Sequence, residues 1–349
     1  MKSPLLSQVL RVVMPLCACL AIAQQTCMAA DDRAFTQLLD DGINAIRQEQ
    51  WQRAEQLLDK SLVEAEKFGK NDRRVGGSLV NLGIIYGQRK DWAKAIAVSK
   101  RALDIDTKAY GERHADVAYD YHQIGTYLDV SGKHAEATPY LKRALALRQT
   151  LPDVKQTLVG VTAENLGENL MSLKRAAEAE SIYRQALTCF KNDKNAECYF
   201  GRLDVLCDFY GDPKRAKEGK NFYKTELADL DHRFGSESPW SANFLNRQGR
   251  FAMKTKDYAL AESTYRRLTA MSSKLPGGAT VRAAMQNALA VALFQQGKYD
   301  QAAPCFKQAA SLIEGANMPE QTRLVKLDYA KCLEKLGKVK EAAELRKQK

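Results

Sequence analysis

The stretch Leu79–Leu103, LVNLGIIYGQRKDWAKAIAVSKRAL, decides the fold. Leu79, Leu82, Ile85 and Tyr86 follow helical spacing, the polar run GQRKD breaks it, and the apolar pattern restarts at Trp92, Ala95, Ile96 and Leu103. Two helices joined by a short turn fit this better than strands. The same pattern recurs along the chain. Small residues stand at Ala54, Ala95, Ala137, Ala179, Gly219, Ala261, Ala302 and Ala342, in steps of 41, 42, 42, 40, 42, 41 and 40. Twelve residues before each stands another: Gly42, Gly83, Gly125, Gly167, Cys207, Gly249, Ala290 and Ala330. A fixed internal period decides the architecture before any local reading does.

Glycine inside a helix costs roughly 0.5–1 kcal/mol against alanine, so its recurrence in the first helix needs a compensating gain. The expected gain is close approach of the paired helix at its alanine. A bulky residue follows four positions after the small one, at Leu58, Leu141, Tyr183, Tyr223, Tyr265 and Phe306, with Ser99 and Arg346 as exceptions. Small against large on facing helices is an interlocking pattern.

These residues resemble the tetratricopeptide repeat, and the step of 40–42 residues resembles its longer, kinesin-light-chain-like variant rather than the usual form of about 34 residues. The stretch Tyr110–Ala118, YGERHADVA, and the prolines Pro139 and Pro304, two residues after their alanines, support that variant. The resemblance implies an all-α, right-handed superhelical solenoid of about eight helix–turn–helix units. They are expected near 34–70, 74–112, 115–152, 155–192, 195–235, 238–275, 279–316 and 320–349. No Gly/Ser/Pro-rich linker interrupts them, so one elongated solenoid is expected over 31–349. The repeat that breaks the small-residue pattern in both helices, with Cys207 and Gly219, is the expected place for a special joint.

Residues 1–30 lie outside the repeat phase. Lys2 and Arg11, an apolar run Val12–Ala23, then QQTCMAA before Asp31, have the shape of a secretory signal peptide, with cleavage at Ala23, Ala29 or Ala30. The apolar run is too short for a membrane span, which needs about 20 residues. Export to the periplasm or the outside is expected, with an uncleaved N-terminal anchor as the alternative. Formal charge falls from +11 to +9 without Lys2 and Arg11. That excess suits anionic polymers or membrane surfaces, but basic runs such as Lys214–Lys220 lack the aromatic interleaving of single-strand nucleic-acid platforms.

Nothing in the sequence supports catalysis, a cofactor or a metal. The mature chain has no CxxC, the four histidines have no partner at metal or triad spacing, and Pro276-Gly277-Gly278 lacks the strand and the Gly-Lys-Ser/Thr of a phosphate loop. Cys189 and Cys198 flank a turn between antiparallel helices and could bridge in an oxidising compartment; two separate buried thiols are the alternative.

In the family this chain resembles, first helices line the concave face and bind proteins or extended peptides. The resemblance places Asn81, His122, Gln123, Thr126, Glu164, Asn165, Glu168, Asp204, Asp208, Asn246, Arg247, Arg250 and Asn287 in that groove. Asn81 and Asn165 begin Asn-Leu-Gly triplets, where the resemblance implies contact with a peptide backbone; an amide both donates and accepts. The charges describe either a groove with an acidic middle and a basic patch beyond it, or a structural network in which Asp204 and Asp208 pair with Arg247 and Arg250. Both readings stand at this level. The function expected is an exported protein-binding scaffold, with electrostatic binding of an anionic polymer or membrane as the alternative.

Overall fold

The computed structural model describes residues 30–191, 196–275, 277–316 and 318–347. Among them are sixteen α-helices and no strand. In chain order they are α1 (Ala30–Arg47), α2 (Trp51–Glu66), α3 (Arg73–Gln88), α4 (Trp92–Tyr110), α5 (Ala115–Val130), α6 (His134–Thr150), α7 (Gln156–Ser172) and α8 (Ala176–Phe190). Then come α9 (Ala196–Tyr210), α10 (Ala216–Phe234), α11 (Pro239–Lys254), α12 (Tyr258–Met271), α13 (Gly278–Gln295), α14 (Tyr299–Gly315), α15 (Pro319–Lys335) and α16 (Val339–Lys347). From α1 to α8, and from α10 to α16, each helix packs on the next in sequence, as the repeat pattern predicts.

The chain divides into two compact units at Leu203 and Asp204, inside α9. In a solenoid each repeat packs only on its neighbours, so a division needs no linker. This one falls in the repeat carrying Cys207 and Gly219.

The turns explain the phase of the pattern. Five residues before the small residue of the second helix, the chain enters the left-handed region at Glu49, Lys90, Gly132, Lys174, Lys256, Gly297 and Gly337, with φ between 58° and 86°. This residue reverses the chain so that the second helix returns along the first. The fifth repeat alone departs: Asp212 caps a short 3-10 turn, Pro213–Arg215, with its carboxylate accepting from Lys214 N at 2.9 Å. Elsewhere aspartates stop the fraying of first turns, since the leading N–H groups have no partner within the helix. Asp72 accepts from Arg74 N at 2.9 Å, and Asp91 from Lys94 N at 3.2 Å.

Packing follows the small-against-large pattern, with one correction. The alanines of the second helices are fully buried, but the first-helix glycines do not make their closest approach there. They face the bulky residue one turn later. A Cβ on Gly125 would lie 2.7 Å from Leu141, one on Gly167 2.6 Å from Tyr183, and one on Gly249 2.6 Å from Tyr265. The glycine is there because a large side chain occupies the volume its own would need. Gly83 faces the exception, Ser99, at a looser 3.1 Å.

Pro139 and Pro304 fall within helices α6 and α14. Both lie inside their helices, five residues after the first helical position, beyond the turn whose N–H groups are free in any case.

In the first unit, apolar clusters join Leu58, Leu82 and Ile85, and Leu79, Ala102 and Ile105. In the second unit one core runs through Leu245, Leu268, Leu293, Phe306, Ile313 and Val325.

Candidate functional site: a polar strip on the first helices

In the first unit, three first helices present polar side chains that bond from repeat to repeat. Asn165 on α7 donates from Nδ2 to Thr126 Oγ1 on α5 at 3.1 Å. Its neighbour Glu164 accepts from Arg202 Nε on α9 at 3.1 Å, and the Arg202 guanidinium also lies 4.5 Å over the Phe190 ring. Asn169, one turn further along α7, donates to Asp129 Oδ1 at 2.6 Å and to the His134 carbonyl at 2.8 Å, while Thr138 Oγ1 donates to its Oδ1 at 2.7 Å. His134 Nδ1 lies 2.7 Å from the same Asp129 oxygen. Repeat-to-repeat bonding of this kind fixes side chains that would otherwise sample several rotamers.

The strip is acidic. Glu164 and Asp129 lie close enough to Glu168 to raise its proton affinity, against one arginine. Burial raises the Glu164 carboxyl and Arg202 partly offsets that. Glu168 is pushed up to about 8, first by burial, then by the charges of Glu164 and Asp129. Asp129 bonds to His134 and Asn169, and Glu164 to Arg202. The half-buried Glu168 carboxylate has no ion-pair partner among the described residues.

The other residues expected in the groove of this unit are placed unevenly. Gln123 is buried, donating to Tyr119 Oη at 2.9 Å and accepting from Ser99 Oγ at 3.4 Å. Asn81 is buried and donates to the carbonyl of Gly77 in its own helix at 2.8 Å. His122 is buried with Nδ1 unpartnered; burial, then the nearby Arg148 charge, pushes its proton affinity down, so the ring is neutral at ordinary pH. Arg148 is itself buried, donating to the Leu158 carbonyl and to Thr162 Oγ1, and burial lowers it to about 10.

In the second unit, Arg247 on α11 reaches Asp204 at 2.7 Å and Asp208 at 3.8 Å. The network reading of these charges therefore holds for Arg247. Arg250 and Asn246 are exposed, and Arg250 has no ion-pair partner among the described residues. Asn287 is half-buried, with Oδ1 enclosed and unpartnered. Cys207 fills the small-residue position; burial pushes its thiol up to about 12, and its carbonyl accepts from Tyr223 Oη at 3.4 Å.

Sequence reasoning missed Asp129, Asn169 and Arg202. Asp129 lies four residues after Gly125 and Asn169 two after Gly167, so the pair does not share a phase of the repeat and spacing gives no signal for it. Arg202 leaves none either.

Cys189 is half-buried and burial raises its thiol. The Cys198 side chain, and the N-terminal segment read as a leader, lie outside the described residues. Among the described residues, no helix is long and apolar enough to cross a membrane, and no group of three His, Cys, Asp or Glu side chains could hold a metal ion.

Profiles described as tetratricopeptide repeat match residues 74–150 and 240–314, residues 159–192, and residues 287–346, together more than half of the chain. The chain belongs to the tetratricopeptide repeat family, and its repeats resemble those of kinesin light chains. It is 23% identical over 263 residues to the protein kinesin light chain-related 3 of Arabidopsis thaliana, covering 74% of this chain and 40% of that protein. It is 31% identical over 108 residues to human mitochondrial tetratricopeptide repeat protein 19, covering 30% of this chain and 27% of that one. The chain thus spans well under half the length of these relatives. Among solved structures, the apo form of RapI aligns with TM-score 0.50 at 14% identity, covering 80% of this chain and 97% of that one. That likeness concerns the fold.

Proposed function

We propose that this protein is an exported scaffold that holds an extended protein segment on the polar strip of its first helices, and that it performs no catalysis of its own. The observation that carries the reading is Glu168. In a strip where Asp129 and Glu164 are each bonded, one half-buried carboxylate is left without a counter-charge. Burial and the neighbouring acids make ionisation of Glu168 costly in the free protein, and a partner that brings a basic side chain removes that cost. The amide of Asn165, held by Thr126, stands one turn away and offers a backbone contact. Export rests on the N-terminal pattern Lys2, Arg11 and Val12–Ala23.

The test is affinity capture from the native exported fraction by the wild-type protein, compared with Glu168→Gln and Asn165→Ala. A segment-binding scaffold loses its captured protein in both variants. Equal capture by all three overturns the strip as the binding surface. The net positive charge favours a second reading, electrostatic binding of an anionic polymer or membrane. That reading predicts binding that weakens steeply with salt and ignores both substitutions. Sequencing the N-terminus of the exported protein tests the leader; a chain retaining Met1 would support the uncleaved anchor instead.

A further inference from the structure

Asp120, on α5, is completely buried, and neither of its carboxylate oxygens receives a hydrogen bond from an N–H or O–H of the described residues. The group beside it is another acid. Asp106, on α4 of the preceding repeat, is 4% exposed, and the two carboxyls lie within hydrogen-bonding reach of each other. Two carboxylates can only accept, so a bond between them forms only while one of them carries a proton.

The surroundings supply no cation in its place. Asp116, also on α5, adds a third negative charge, and its own neighbour is His114 at 3.5 Å. From α3, Gly76 packs against Asp106 so closely that a Cβ there would strike its Oδ1, and the Arg73 charge acts on Tyr110 at the end of α4. From α6, Arg148 is committed to Leu158 and Thr162. Among the described residues, no lysine or arginine forms an ion pair with Asp106 or Asp120. Burial first, then the neighbouring acids, holds the Asp120 carboxyl well above the ordinary aspartate range; burial does the same for Asp106.

We propose that Asp106 and Asp120 form a proton-held latch between the second and third repeats, closed while the pair shares its proton and forced open when the proton leaves. Two ionised carboxylates in contact, out of reach of water, repel each other without compensation. The helix that carries Asp120, α5, also carries Thr126 and Asp129 of the polar strip, so the latch sets the geometry of that strip. The inference does not depend on what the strip binds. The sign follows from the direction of the shift. The folded protein holds these protons more tightly than the unfolded chain. Stability from the latch is therefore fully present at pH below the ordinary aspartate range and is lost as pH rises through the folded values. Each proton retained in excess makes opening about tenfold easier per pH unit over that interval.

The test is amide hydrogen exchange of the full chain between about pH 5 and about pH 9, corrected for intrinsic rates, with carbon NMR of the aspartate carboxyls. Peptides from α13 and α14 serve as the internal reference. In the wild type, protection of α4 and α5 should fall relative to that reference by up to about tenfold per pH unit. Asp120→Asn, whose amide donates to Asp106 without a titrating proton, should abolish the slope; Asp106→Asn serves if the first variant does not fold. Identical slopes in variant and wild type would overturn the latch. So would carboxyl titrations of both residues in the ordinary range near about 4, a readout that needs no variant.

Discussion

Tyr183 stands where a side chain on Gly167 would have to go: a Cβ at residue 167 lies 2.6 Å from Tyr183 Cε1. The tyrosine is buried, and its ring is the large half of a contact whose small half is the missing side chain. Gly167→Ala should therefore destabilise the first unit by about 1–3 kcal/mol through overpacking. Gly83→Ala, facing the Ser99 hydroxyl at 3.1 Å, should cost distinctly less. Thermal unfolding of the two variants side by side measures the difference; equal losses would mean that glycine serves the helix backbone rather than the contact.

The left-handed turn residues give a second comparison. Lys174 and Gly132 occupy the same place in successive hairpins, at φ 60° and 86°. A non-glycine residue pays roughly 1–2 kcal/mol for that conformation. Lys174→Gly should raise the melting temperature by a few degrees, and Gly132→Ala should lower it. Denaturation midpoints that move the other way would show that the lysine side chain contributes more than its backbone strain costs.

Arg202 is the arginine paired with Glu164 of the polar strip. Arg202→Met should leave Glu164 buried without its counter-charge, a loss of about 3 kcal/mol or more for a buried pair. The double variant Arg202→Met with Glu164→Gln should recover much of that loss. A double-mutant cycle read by urea denaturation checks both statements. Strict additivity would show that the pair is not coupled.

In the second unit the pH response has the opposite sign to that of the Asp106–Asp120 latch. Glu262 receives Lys298 at 2.6 Å, Arg266 at 2.9 Å and Gln296 at 2.9 Å, and these hydrogen bonds, led by that from Lys298, hold its carboxyl down to about 2. Its folded affinity for a proton is lower than that of the unfolded chain, so the stability it confers is present above the ordinary glutamate range and lost as pH falls towards about 2. Lys298→Met should lower the melting temperature at neutral pH and leave it nearly unchanged at the acid end. A uniform decrease at every pH would contradict the assignment.

The sequence announced the repeat through positions that every hairpin must share. Ala95 and its equivalents are fully buried because a second helix returning along a first leaves room for nothing larger there. The partner of each glycine was misread. Sequence spacing placed the close approach at the alanine, whereas the structure places it one helical turn further on, at Leu141 or Tyr183, because side chains lean along a helix rather than straight out from it. Within the candidate site, Glu164, Asn165, Glu168 and Thr126 were legible from their phase in the repeat. Which of them is bonded was not, because a hydrogen-bond partner 38 or 39 residues away depends on rotamers that no spacing encodes.

The sequence by itself determined the helices, their order and the hairpin phase, since these rest on periodic burial and on which positions tolerate only a small residue. Only the tertiary structure decided that Asp120 meets Asp106, that Arg247 is committed to Asp204 and that Glu168 is left unpaired. Charged side chains look alike along the chain. Their roles are fixed by how far burial strips them of water and by which neighbours remain within reach, and those follow from the packing of successive repeats.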